Sequence, residues 1–291
     1  MSKSNSAISK KDRSLWEFGF ESYVLIAVCI CIIALTVILV NIIINGLGWL
    51  DFGLLVNYPS SDVDRAGMRP AILGSLYTVG LAVAVALPLG IATGLYLNEY
   101  GGKSKLSTLI QLALVNLAGV PSVIFGLVAL SFLAYNVGFG RSIITGAIAL
   151  AFLVLPMITV TTVESARLVP FTHRYGAFAL GASKYQVVFR VVFPRIIPTA
   201  MTSSILAISR AIGEAAPILV VSGLIFIRRD PTSLFDEFTV MPLQIYNWVS
   251  RPQESFIDLS AAGIIVLLII LLSLNIFAVC IRNRLQTRVT E

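Results

Sequence analysis

The sequence predicts an all-α, polytopic membrane protein with six transmembrane helices. Of the 291 residues, 57% are hydrophobic and only 12% are charged, about half the charged share of a typical soluble domain. Apolar runs of about 20 residues recur along the chain, and a bilayer can be crossed only by helices or closed barrels. No run shows the period-two alternation of a membrane barrel. Each run therefore predicts a helix surrounded by membrane lipid.

The apolar segments follow one another in chain order and are separated by polar loops. The expected spans are residues 23–46, 70–97, 106–134, 142–163, 199–227 and 259–281. The third span is interrupted near Pro121, and the fifth contains Gly213 and Pro217. Residues 1–22 are Ser- and Lys-rich without apolar periodicity, which predicts a flexible tail. Residues 282–291 form a second, basic tail.

The loop charges predict the orientation of the chain. An even number of spans places both termini on one side of the membrane. That side carries 14 basic and 6 acidic residues, and the other side carries 6 basic and 8 acidic residues. Because short cytoplasmic loops are enriched in Lys and Arg, the N- and C-termini are predicted to be cytoplasmic.

The same charge distribution argues against nucleic acid as a partner. The net charge of +6 could suit a nucleic-acid-binding protein, but the basic residues alternate between loops as orientation signals. Cys29, Cys31 and Cys280 lie inside apolar spans and have no CxxC spacing, so neither a metal site nor a disulfide is predicted. The chain has no GxxxxGK[ST] motif. We therefore expect no ATP site, no cofactor and no enzymatic activity on this chain itself.

Two charges stand inside the fifth predicted span. Counted from Thr199, Arg210 lies about 16 Å into the span, near the middle of a hydrocarbon core of about 30 Å. A charge there costs roughly 2.5–3.5 kcal/mol. Arg210 and Glu214 are four residues apart and can pair. They are interpreted either as an ion pair that fixes helix register or as part of a substrate pathway.

The loop before this span has the pattern of two short amphipathic helices. Apolar residues recur at helical spacing, first as Tyr175, Phe178, Ala179 and Ala182 and then as Tyr185, Val188, Phe189 and Val192. Gly181 lies between the two groups and predicts a turn. Such an element could dock its apolar face into a groove of a soluble partner. Alternatively, it could lie on the membrane with Lys184 and Arg190 near lipid headgroups.

This loop resembles the EAA loop of bacterial ABC-importer permeases. That loop has Glu-Ala-Ala, three residues, Gly, nine residues and Ile-x-Leu-Pro. Here Tyr175-Gly176-Ala177 stands at the triplet, Gly181 at the glycine and Val191-Val192-Phe193-Pro194 at the end. The spacing matches throughout, and two residues of the triplet differ, including the glutamate. The match favours the docking interpretation.

Two further segments resemble the A-type permease of the phosphate-specific ABC transporter. One is Arg210–Pro217, RAIGEAAP, in which Ala215 stands where that family usually has Thr. The other is Gly119–Gly126, GVPSVIFG, which resembles the signature of the third span. The resemblance implies the type I ABC importer permease (MetI-like) fold. The permease domain would be residues 70–281 and would include a cytoplasmic coupling loop at residues 171–198.

The resemblance also implies a set of partners and a location. A homologous C-type permease would form a heterodimer with this chain. Two copies of a cytoplasmic ATPase would bind ATP and Mg, and an extracytoplasmic phosphate-binding protein would deliver the substrate. The chain would lie in the bacterial inner membrane and move phosphate into the cytoplasm.

Roles for individual residues follow from the resemblance. The substrate pathway would include Arg210, Glu214 and Ser122, and the flexible positions would be Pro121, Gly213 and Pro217. The ATPase-coupling positions would be Tyr175, Gly176, Ala177, Phe178, Ala179, Gly181, Lys184, Tyr185 and Pro194. The sequence favours a Ser122 hydroxyl bonded within its own helix over one that contacts an anion.

Two alternative functions stay open at this point. One is transport of another oxyanion, such as molybdate, sulfate or phosphonate. The other is a self-sufficient secondary transporter that uses Arg210 and Glu214 as a relay. Such transporters usually contain inverted repeats, and the sequence has no second Arg–Glu pair of this kind.

Overall fold

The structure is a computed structural model that describes residues 10–102 and 104–290, with side chains omitted at 10–19, 203, 278 and 281–290. Most of the described chain is helical. The α-helices are α1 Lys10–Gly46, α2 Phe52–Val56, α3 Arg69–Leu95, α4 Lys105–Gly119, α5 Ser122–Val128, α6 Ile143–Leu168, α7 Phe171–Ala179, α8 Lys184–Val187, α9 Phe193–Gly213, α10 Ala216–Ser222, α11 Met241–Val249 and α12 Glu254–Thr290. Wider π-helical turns extend three of these helices, at Tyr96–Tyr100, Ala129–Asn136 and Val188–Val192.

Five helical segments are long and apolar enough to cross a membrane. They are Phe20–Trp49, Arg69–Tyr100, Ile143–Leu168, Lys184–Gly213 and Glu254–Phe277. A sixth span results if α4 and the helix Ser122–Asn136 are counted together, although they meet at an angle of 108°. The predicted all-α membrane architecture is confirmed. The break predicted in the third span falls at Val120 and Pro121.

The core is built around the packing of α3 against α6, with α5, α9 and α10 beside them. Small residues allow this close approach. A β-carbon at Gly90 would lie 2.7 Å from Cγ2 of Ile158, and one at Gly94 would lie 2.6 Å from Cβ of Thr162. In contrast, α1 packs chiefly on α12 and exposes apolar side chains along most of its described length, as a lipid-facing helix does.

The fifth span differs from its predicted course. The sequence predicted one helix over 199–227 with Gly213 and Pro217 inside it. In the structure α9 starts at Phe193 and ends at Gly213, and Glu214 leaves the helix with ψ 106°. A new helix, α10, begins at Ala216 with Pro217 in its first turn. Proline lacks the N–H that a helix interior needs but is suited to the first turn, so the chain breaks and restarts there.

Both predicted tails are helical where the structure describes them. Helix α1 includes residues 10–22, and α12 continues through residues 282–290. Residues 1–9 and residue 291 lie outside the described chain.

Helix α3 packs closely against the segment that precedes α11, and substitutions of glycine in α3 test this packing. A β-carbon at Gly74 would lie 2.0 Å from the carbonyl oxygen of Thr239, whereas one at Gly80, also in α3, would meet nothing within 4 Å. We expect Gly74→Ala to destabilise the protein by about 1–3 kcal/mol, as overpacking does. Gly80→Ala should be neutral or stabilising because alanine favours a helix over glycine. Thermal unfolding of the two variants in detergent measures this, and equal melting temperatures would contradict the packing.

Candidate functional site

Two broken helices meet in the interior of the bundle. Helices α5 and α10, which follow the two breaks, pack directly on each other. A β-carbon at Gly126 would lie 2.5 Å from the carbonyl oxygen of Pro217, so only glycine allows this contact. The break after α4 and the break after α9 are therefore brought to the same region of the fold.

The predicted charge pair lies at the second break. Nε of Arg210 and Oε1 of Glu214 are 3.4 Å apart, and the two side chains are 58% and 20% exposed. Arg210 lies in the last turn of α9, about 26 Å along the helix from Phe193. The sequence counted the position of Arg210 from Thr199, whereas α9 begins earlier, at Phe193, and ends sooner, at Gly213, than the predicted span.

A cavity of about 260 Å³ lies beside this pair. The residues that line it come from α4, α5, α6 and α9: Leu117, Ala118, Val120, Ser122, Phe125, Leu153, Pro156, Met157, Val160, Thr161 and Arg210. Most of this lining is apolar, and its polar side chains are Ser122, Thr161 and Arg210. The cavity brings together Arg210 and Ser122, two residues 88 positions apart that the sequence placed on one pathway.

The hydroxyl groups in this cavity differ in their bonding. Thr161 donates to the carbonyl oxygen of Met157 at 2.8 Å, so its hydroxyl is held by its own helix. Ser122 opens α5, and its hydroxyl has no hydrogen bond to any described residue. The bond that the sequence favoured for Ser122 is therefore not made. Together with the guanidinium of Arg210, this hydroxyl can donate to oxygens of a small anion.

A second cavity, of about 480 Å³, lies along α4 and α6 toward the last turn of α6. It is lined by Leu97, Asn98, Gly102, Gln111, Leu114, Val115, Thr159, Val160, Val163, Glu164 and Arg167. Val160 lines both cavities. The space beside Arg210 is thus adjacent to a wider and more polar space at one end of the bundle.

The 171–198 loop forms a helical hairpin at this end. Gly181 turns the chain with φ +82°, a backbone conformation that L residues rarely adopt. The turn is closed by a hydrogen bond from N of Ala182 to the carbonyl oxygen of Ala177, at 3.0 Å. Ser183 and Gln186 form a reciprocal capping box at the start of α8. The turn predicted from Gly181 is therefore present, between two helices with defined ends.

The outer face of this hairpin is apolar and exposed. Tyr175, Phe178, Leu180, Tyr185 and Phe189 are between 43% and 90% exposed. Aromatic contacts order part of this face, since the rings of Tyr185 and Phe189 lie 4.5 Å apart between centroids. Such a face, on a short protruding element, is typical of a surface that is covered by another molecule.

The inner face of the hairpin departs from the predicted stripe. Val188 and Val192 were placed on one stripe with Tyr185 and Phe189, but both are buried with Ile196 in a small core. The π-helical turn Val188–Val192 adds about a residue per turn there, so positions three apart no longer share one face. Pro194 lies in the first turn of α9.

One feature of this region was not found from the sequence. Arg174 is 8% exposed and its Nη2 lies 2.7 Å from Oε1 of Glu99, at the end of α3. In addition, Lys184 lies with its ammonium 4.7 Å from the centroid of the Tyr100 ring. Glu99 and Arg174 are 75 residues apart, and no local pattern relates two positions so distant.

Comparison with known proteins identifies the family. The family described as binding-protein-dependent transport system inner membrane component matches residues 86–291. The chain belongs to this family. It is therefore a multi-pass permease subunit of a transport system, and its family members are transport components rather than enzymes.

Relatives of this permease include several with assigned names. The phosphate transport system permease protein PstA of Xylella fastidiosa (strain Temecula1 / ATCC 700964) is 31% identical over 84% of this chain and 85% of its own length. PstA 1 of Mycobacterium tuberculosis (strain ATCC 25618 / H37Rv) is 33% identical over 74% of this chain and 70% of its own length. These relatives confirm the resemblance predicted from the Arg210–Pro217 segment.

Solved structures support the same fold. The permease is similar to a chain of a bacterial alginate ABC transporter, with a TM-score of 0.65 and 16% identity over 95% of this chain and 98% of that chain. A chain of the MetNI methionine ABC transporter gives a TM-score of 0.58 and 14% identity over 73% of this chain and 91% of that chain. The MetI-like importer permease fold is thus confirmed.

Proposed function

We propose that this permease moves inorganic phosphate across the bacterial inner membrane into the cytoplasm and is driven by an ATPase on a separate chain. The observation that carries the proposal is the cavity in which Arg210 and Ser122 meet beside two helix breaks. Phosphate as the substrate is supported by the names of relatives that match most of the chain.

The cavity has the chemistry that a phosphate pathway needs. The planar guanidinium of Arg210 presents N–H donors whose spacing matches two oxygens of a phosphate. Glu214 contacts Nε, so it does not occupy the terminal nitrogens, and its negative charge offsets that of the arginine. An anion can then bind without being held too tightly to leave. Ser122, which also lines the cavity, adds a neutral donor.

The helix breaks provide positions at which this pathway could open and close. Gly213 ends α9 and Pro217 restarts the chain in α10, while Pro121 precedes α5. Backbone groups near such breaks are not locked into a continuous helix. Movement of α5 and α10 together would change access to Arg210 from either side.

Coupling to the ATPase would use the outer face of the 171–198 loop. Its exposed aromatic residues and its rigid turn suit a groove on a soluble partner. Tyr175 stands where ABC-importer permeases usually have glutamate, so docking would rest on shape and apolar contact more than on that charge. The positions assigned to this contact are Tyr175, Gly176, Ala177, Phe178, Ala179, Gly181, Lys184, Tyr185 and Pro194.

The rest of the assembly follows from the same proposal. The positive-inside rule places both termini and the 171–198 loop in the cytoplasm. A C-type permease would pair with this chain, two ATPase copies would hold ATP and Mg on the cytoplasmic side, and a phosphate-binding protein would dock on the other side. The permease itself would hold no cofactor.

Competition for uptake tests the substrate assignment. In cells that depend on this permease and its partners, labelled phosphate uptake should be suppressed by unlabelled phosphate and unaffected by equal molybdate, sulfate or phosphonate. An empty-vector strain is the control for other phosphate carriers. Uptake that molybdate or sulfate suppresses as strongly as phosphate would replace phosphate with another oxyanion.

A further inference from the structure

The π-helical turn at the end of α3, Tyr96–Tyr100, is hydrogen-bonded to α7, the first helix of the hairpin. Oε1 of Glu99 accepts a hydrogen bond from Nη2 of Arg174 at 2.7 Å, and the two side chains are only 10% and 9% exposed. Asn98 also donates to the same carboxylate oxygen, at 2.7 Å. The guanidinium additionally donates to the carbonyl oxygens of Val169 and Ala166, at 2.6 and 2.8 Å.

The same turn also contacts α8, the second helix of the hairpin. Tyr100, the residue after Glu99, lies with its ring under the ammonium of Lys184 in a cation–π contact. Two consecutive residues of α3's terminal turn therefore hold both α7 and α8. We call this set, Glu99 and Tyr100 with Arg174 and Lys184, the clasp.

The clasp is unlike an exposed ion pair in its energetics. Exposed pairs contribute little to stability because water and salt screen them. A nearly buried pair that loses one partner leaves an uncompensated charge, which is strongly destabilising. Since the hydrogen-bonding groups of Glu99 and Arg174 are met by several partners, the contact between α3 and α7 is specific and costly to break.

We propose that Glu99 is a positioning residue that makes α3 a further receiver of movement from the 171–198 loop. The loop follows α6 at one end and continues into α9 at the other, so its covalent links lead only to these two helices. Through Glu99 and Arg174, α7 instead moves with α3 as one body. This inference rests on the proposed function, in which an ATPase moves the loop.

The packing of α3 gives this movement a route to the site. Helix α3 makes its most extensive contact with α6, where Gly90 and Gly94 bring the backbones together. Helix α6 carries Pro156, Met157 and Thr161, which line the cavity beside Arg210. Packed side chains and rigid helices can carry coupling between distant sites, and the clasp supplies the first contact on this route.

The test uses the assembled transporter in proteoliposomes, with phosphate import and ATP hydrolysis measured together. We expect Glu99→Gln and Arg174→Gln each to lower phosphate imported per ATP at least about tenfold, with ATP hydrolysis within about twofold of wild type. Lys105→Gln is the matched control, because Lys105 is exposed, lies outside the 171–198 loop and forms no ion pair in the described chain. Arg174→Lys keeps a cation beside Glu99 but loses the planar, forked donors, so it should retain part of the ratio.

Two results would overturn the proposal. One is a ratio that is unchanged in both single variants. The other is a fall of ATP hydrolysis in parallel with import in variants that assemble normally, because the two activities would then still be coupled. Should the charge variants not assemble, Tyr100→Leu keeps the proposal testable, because it removes only the exposed contact. It should lower the ratio about two- to threefold, and an unchanged ratio would count against the clasp.

Hydrogen exchange separates this inference from the proposed function. In the purified wild-type complex, amides of residues 171–179 should exchange slowly, and Glu99→Gln should speed their exchange without changing that of α6. This readout needs no substrate. If wild type imports no phosphate, the proposed function fails while faster exchange in Glu99→Gln still supports the clasp. Unchanged exchange at 171–179 overturns the clasp whatever the substrate is.

Discussion

Replacing Arg210 with glutamine is expected to lower phosphate uptake by at least about a hundredfold while the protein inserts normally. The guanidinium would form two charge-assisted hydrogen bonds to the anion, each contributing about 1.5–3 kcal/mol. Loss of both corresponds to a hundredfold or more in binding. Glutamine keeps a polar side chain that suits a helix, but it is shorter and loses the charge and the paired donors. Labelled-phosphate uptake, with protein amount checked by immunoblot, measures the effect.

Two further variants serve as comparisons for Arg210→Gln. Arg210→Lys keeps the charge and loses the planar, paired geometry, so it should retain partial uptake. Arg141→Gln removes an arginine that does not line the cavity and should leave uptake near wild type. Undiminished uptake in Arg210→Gln would reduce the pair with Glu214 to a structural ion pair.

Replacing Gly181 with valine is expected to uncouple the permease and lower uptake about tenfold. Gly181 has φ +82°, where a β-carbon costs roughly 1–2 kcal/mol and a branched side chain costs more. Relief of that strain would reorient α7 against α8 and alter the surface offered to the ATPase. Co-purification of the ATPase with the tagged permease, measured beside uptake, reports the change.

Asparagine at the same position is the control for this variant. Asparagine adopts positive φ more readily than other residues with a β-carbon. Gly181→Asn should therefore keep most of the uptake and most of the bound ATPase. Equal losses in the valine and asparagine variants would show that the space at Gly181, and not its backbone conformation, matters for docking.

Much of the architecture could be predicted from the sequence because bilayers impose simple rules. Apolar length located the spans, and the break near Pro121 followed from Gly119 and Pro121. The turn at Gly181 could be predicted because its signal is local. The association of Arg210 with Ser122 came from resemblance, and the structure brings both residues to one cavity.

Other features depend on contacts that a local pattern does not contain. The end of α9 at Gly213 was missed because apolar residues continue to Ile227, and hydropathy alone does not distinguish one helix from two that are separated by a break. The inward position of Val192 depends on a π-helical turn, which changes the period that was assumed. The pairing of Glu99 with Arg174 depends on how α3 and α6 pack.

The measurement that tests the account most directly is phosphate import by the purified assembly in proteoliposomes. The account predicts that import requires ATP, the ATPase chain and the phosphate-binding protein together, and that this permease reconstituted alone imports none. Import by the permease alone, without ATP, would contradict the account and favour a secondary transporter.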